Sequence, residues 1–194
     1  MKNSVKPLVL ITIFCIYSAV SFSQLKLGIA NNLAPDLQKI IDQYANQFQD
    51  IKGELISTNP QSADYDCNLK VQGTEESSVT TYSAKKQMAS WQGVFLTTES
   101  FEKAKQKFRN IYNQVNGLTY IKDATKKKLQ GKYETPVEEK KFNSVIFQTN
   151  EAEEKLPALR VELTLEFYEP MEWKVKLIVY GKEREDEERG RRED

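Results

Sequence analysis

Apolar and polar positions recur along this chain with two different periods, and the change of period divides it into helices and strands. From Leu33 the apolar residues fall at Leu37, Ile40, Ile41, Tyr44, Phe48 and Ile51, steps of three and four that draw one stripe on a helix. Asn31 or Asn32 suits its cap, Pro35 its first turn, Asp36 its positive end and Gly53 its stop. A second stripe runs through Phe101, Ala104, Phe108, Ile111, Tyr112 and Val115, capped by Thr98 or Ser100 and ended by Asn116 and Gly117.

Between the stripes the period falls to two. Tyr65, Cys67, Leu69 and Val71 alternate with Asp66, Asn68 and Lys70 and predict a half-buried strand. "ELIS" reads as the start of a short strand, "SVTTYSA" and "WQGVFLT" as two more, with "KKQMAS" as the turn between them. After the second helix, residues 119–140 show no clear period and read as a long connection. Three strands close the chain: "KFNSVIFQT", "LRVELTLEFY" and "WKVKLIVY". "LRVELTLEFY" alternates strictly, "WKVKLIVY" puts Trp173, Val175, Leu177 and Val179 on a matching face, and joining the two faces pairs Phe167 with Trp173 and Leu165 with Val175. The same register sets Glu166 opposite Lys174 on the wet face, a favourable cross-strand pair.

One apolar face per strand and one stripe per helix give an α+β expectation. Two amphipathic helices pack on one face of a mainly antiparallel sheet, in the order α-βββ-α-βββ.

The ends change the picture of where the chain goes. Lys2 and Lys6 precede an apolar run from Leu8 to Ile16, interrupted by Thr12, and Ser21 and Ser23 suit a cut before Gln24. Residues 1–23 therefore read as a secretory signal peptide, 24–181 as one domain and 182–194 as a charged, solvated tail. An uncleaved anchor is the alternative. Cys15 lies inside the apolar run behind Phe14, which is the wrong setting for a lipid-modified cysteine.

Charge adds an exclusion. The whole chain holds 28 basic and 28 acidic side chains, and the leader removes two lysines and no acid. A slightly acidic remainder argues against nucleic acid as a partner, and no second segment has membrane-spanning length. The absence of histidine excludes serine or cysteine nucleophiles paired with imidazole, and zinc sites that need it. One cysteine, Cys67, remains after the leader, so no internal disulfide or CxxC pair forms.

The stretch "DYDCNLKVQGTE" brings the candidate chemistry together. Asp64, Asp66, Asn68 and Glu75 occupy positions 1, 3, 5 and 12 of an EF-hand loop, but Leu69 stands where glycine is needed and both flanks are poor helices. Cys67 shares the apolar face of the strand and reads as core, with an intermolecular disulfide as its alternative. Paired carboxylates are the remaining catalytic option: Asp64 with Asp66, Glu138 with Glu139, Glu153 with Glu154. Acids that alternate across a strand or sit in turns make that signal weak. Trp91 and Trp173 each begin a strand on its apolar face and read as core, with an aromatic platform as the alternative.

No catalytic, metal-binding or cofactor-binding residue is nominated, and no cofactor is implied. The expectation is an exported, soluble, non-catalytic domain that binds a protein or envelope component. The alternatives are a histidine-free hydrolase using two carboxylates and a carrier of a small apolar ligand. The expected surfaces are the wet face of the last hairpin with Ile178 and Tyr180, the Lys103–Arg109 face of the second helix, and residues 119–140.

Overall fold

The computed structural model describes residues 33–83, 88–122, 124–149 and 159–181. The expected signal peptide, the Asn31/Asn32 cap, and the charged tail lie outside these residues. The chain is α+β, with two α-helices and a large antiparallel sheet. Helix α1 (Leu33–Gln43) leads into four strands, β1 (Lys52–Asn59), β2 (Ser62–Cys67), β3 (Glu76–Tyr82) and β4 (Met88–Thr98). Helix α2 (Phe101–Val115) follows, then a hairpin of β5 (Thr119–Lys122) and β6 (Thr125–Lys128). The last strands are β7 (Phe142–Phe147), β8 (Leu159–Tyr168) and β9 (Glu172–Gly181).

Seven strands form one sheet in the order β1-β2-β3-β4-β9-β8-β7, antiparallel at every junction. Two meanders thus meet where β4 pairs with β9. The inward residues of β8 and β9, among them Leu163, Leu165, Val175 and Leu177, are fully buried in one cluster with Leu37, Ile40, Phe108 and Val115 of the helices. Each such side chain contributes about 1.5–3 kcal/mol by leaving water. Trp91, also fully buried, owes its seat to Gly93: a Cβ there would meet its ring at 2.7 Å. Trp173 packs against Phe101 and Phe167 with ring centroids 4.9 and 5.1 Å away.

The β8–β9 register is the expected one, with Phe167 opposite Trp173, Leu165 opposite Val175 and Glu166 opposite Lys174. Ser100 caps α2 by accepting from the Lys103 amide, and Gly117 follows its end at φ 85°.

Five expectations need correction. The first stripe is not one helix: α1 stops at Gln43, and two 3₁₀ turns carry the chain to Ile51. Gln47 and Phe48 adopt φ of 57° and 59°, which swings Phe48 into full burial while the Gln47 side chain accepts from the Ala89 amide. "ELIS" belongs to a full eight-residue strand, so four strands follow the first helix, and Met88–Ser90 belong to β4 instead of the preceding turn.

The strand through Cys67 ends there and does not reach Val71. Asn68 turns back to bond Ile51 and Lys52, Thr74 closes on the Val71 carbonyl, and the loop still buries Val71. Burial therefore keeps alternating after the strand has stopped. Finally, residues 119–128 form a hairpin. Tyr120 and Lys127 face inward, and the Gln38 side chain accepts from the Ile121 amide and donates to the Ile121 carbonyl, mimicking a neighbouring strand.

Candidate functional site

The face of the sheet turned away from the helices carries the polar chemistry, and its two halves are built differently. Alternation along β8 and β9 puts Glu162, Thr164, Glu166 and Tyr168 on this face beside Lys174, Lys176, Ile178 and Tyr180. Glu166 forms an ion pair with Lys176, its diagonal neighbour, and not with Lys174 directly opposite as expected. Lys176 is the more buried of the two lysines, so its charge gains more from a partner. The Tyr168 hydroxyl donates to Glu166, Lys176 donates to that hydroxyl at 2.6 Å, and Lys174 lies over the Tyr168 ring.

Burial pushes the Glu166 carboxyl up, but the Lys176 and Tyr168 hydrogen bonds pull it further down, below the ordinary glutamate value. Burial alone would lower Lys176, yet the same bonds hold it above its ordinary value. Burial and the Glu166 bond raise the Tyr168 phenol. Every displacement locks the charge pattern in place. Further along, the Tyr180 hydroxyl donates to Glu162 at 3.0 Å.

Across the β4–β9 junction the face changes. Asp64 and Asp66 from β2, Glu76 and Thr80 from β3, and Val94 from β4 line a groove of about 440 Å³ with Ile178 of β9. Asp64 accepts from Ser57 at 2.8 Å on one oxygen and from Thr80 at 2.6 Å on the other. Asp66 accepts from the Cys67 amide at 2.9 Å. Tyr82 and Ser90 share a hydrogen bond at 3.2 Å at one side of the groove. Among the described residues no lining residue is basic, and the ion pairs involve none of these three acids.

The sequence candidates fall as follows. Asp64 and Asp66 are two apart, so they share a face instead of pointing oppositely, and Glu76 joins them from the next strand. Glu138 and Glu139 are exposed in a turn, and Glu153 and Glu154 lie outside the described residues. The EF-hand positions belong to a strand and the turn after it. No group of three acids or cysteines among the described residues is close enough to hold a metal ion. Cys67 is a buried free thiol whose Sγ meets the Leu69 carbonyl at 3.4 Å. Trp91 and Trp173 are core residues.

The expected surfaces change too. Ile178 and Tyr180 are buried, not an exposed apolar cluster. On α2, Lys103 and Arg109 are exposed, while Lys105 and Lys107 lie over the rings of Phe101 and Phe95. Along 119–140, Ile121 and Val137 are exposed. Sequence reasoning missed Glu76, Ser78 and Thr80 because their side chains look like ordinary wet-face residues; only the pairing of β3 with β2 brings them beside Asp64.

No protein-family model, curated protein or solved structure matches this chain. No helix among the described residues is long and apolar enough to cross a membrane.

Proposed function

We propose that this chain is an exported, non-catalytic binding domain whose groove on the outer sheet face holds a cationic segment of a protein or envelope partner. The observation that carries this reading is a groove with three carboxylates and, among the described residues, no basic lining residue. Its volume falls in the range of ligand sites. Carboxylates with unneutralised charge favour ammonium or guanidinium groups and repel phosphate, which supports a protein partner over nucleic acid. Among the described lining residues Tyr82 is the single aromatic ring, a poor platform for a sugar. The leader, with its basic start and apolar run, supports export. The test is a titration of the ¹⁵N-labelled protein with octalysine. Amide shifts should concentrate on Asp64, Asp66 and Glu76–Thr80, and a response confined to other surfaces sinks the reading.

The convergence of Asp64, Asp66 and Glu76 from neighbouring strands keeps a carboxylate hydrolase as the second reading. Against it, both Asp64 oxygens are engaged by hydroxyl donors. Turnover of a glycoside that disappears in Glu76→Gln would favour it.

A further inference from the structure

The two ends of the sheet are protected unequally. At the β7 end, Gln130 exchanges both backbone hydrogen bonds with Gln148 at 3.1 Å. Gly131 follows, so near β7 that a Cβ would meet Phe147 and Val145 at 2.8 Å, and the Tyr112 hydroxyl donates to its carbonyl. At the other end, β1 has β2 as its strand neighbour among the described residues and nothing comparable across its outer edge. Residues 54–59 are exposed, with Leu55 at 56% and Ile56 at 62%. Irregularities on either side of Leu55 interrupt β1, but from Ser57 to Asn59 its register with β2 is continuous. An edge strand of this kind offers a row of unpaired amides and carbonyls.

We propose that β1 receives an added strand from an extended, basic segment of a partner protein, whose alternate side chains reach the groove carboxylates. This inference rests on the groove reading above and specifies how the partner engages it. The charges and faces decide the partner's chemistry. Leu55 is opposite Tyr65 and so lies on the helix side, whereas Ser57 is opposite Asp64 on the groove side. An added strand lies about 4.8 Å beyond β1 and about 9.6 Å from β2, a gap that lysine or arginine spans across the small Ser57. Its groove-side positions therefore suit lysine or arginine, bonding to Asp64 beyond Ser57. Its helix-side positions suit apolar residues that cover Leu55. The partner segment alternates basic and apolar residues, and main-chain hydrogen bonds supply affinity while the pockets supply selectivity.

The probe is a peptide alternating valine and lysine, matched to the eight residues of β1, with two relatives. One is methylated on alternate backbone nitrogens; the other carries glutamate for lysine. The expected result is binding of the first with slowed amide exchange at residues 55–59, and loss of about tenfold or more in affinity for each relative. Equal binding of the methylated peptide, with shifts at Asp64 and Glu76, overturns strand addition and leaves the groove reading standing. Equal binding of the glutamate peptide overturns the charge assignment. Failure of the valine–lysine peptide to bind at all, where octalysine still binds, sinks strand addition alone; failure of both sinks the groove reading as well.

Discussion

The β8–β9 half and the β2–β4 half of the outer face belong to one sheet and obey the same alternation, yet they treat acidic side chains in opposite ways. Glu166 is held by a buried ammonium and a phenol, and Glu162 by the Tyr180 hydroxyl. Asp64 is held by two hydroxyls, and Glu76 lines the groove with no ion-pair partner among the described residues. The first arrangement closes on itself, because Glu166 and Lys176 are each other's fixed partners, with ionisations displaced toward keeping both charges. The second leaves negative charge unspent. A structural surface needs the first, and a site for a cation needs the second.

The largest break in this comparison comes from removing one partner of the closed half. Glu166→Gln strands the buried Lys176 charge and should cost about 3 kcal/mol, read as a lower urea midpoint with unchanged slope. Replacing both, Glu166→Leu with Lys176→Met, should recover most of that loss, because an apolar pair of similar volume suits a buried position. Acid sharpens the contrast next. The depressed Glu166 ionisation contributes stability that is present above the ordinary glutamate range and lost as pH falls through its folded value. The raised Lys176 contributes stability lost only as pH rises past the ordinary lysine range. Denaturation midpoints should therefore hold through neutral pH and fall in acid, with a shallower fall in Glu166→Gln.

In the open half, Asp64→Ala frees two hydroxyls that water can satisfy and should cost about 1 kcal/mol. Glu76→Gln should change stability by no more than about 0.5 kcal/mol and should show its effect in ligand affinity instead.

The pairing of β8 with β9 was legible to the residue because Leu159–Phe167 alternates without a break, Trp173, Val175, Leu177 and Val179 mark a matching face, and two patterns must agree. The break after Gln43 was not, since Tyr44, Phe48 and Ile51 remain buried whether the chain is helical or not. The hairpin at 119–128 was hidden by lysines, one of which, Lys127, faces inward where a period-two reading expects an apolar residue. The groove was half visible. Asp64 and Asp66 stand out in any reading, but the approach of Glu76 and Thr80 depends on which strands adjoin, and local pattern carries no information about that.

The open half should accept a cation, and the closed half should not. Calorimetric titration of octalysine into the wild type, the Asp66→Asn/Glu76→Gln variant and a Glu162→Gln control tests this most directly. Loss of two groove charges should weaken binding by about tenfold or more, while the control binds as the wild type does. Equal affinity in all three, or a loss in the control alone, would mean that the groove carboxylates do not hold the cation.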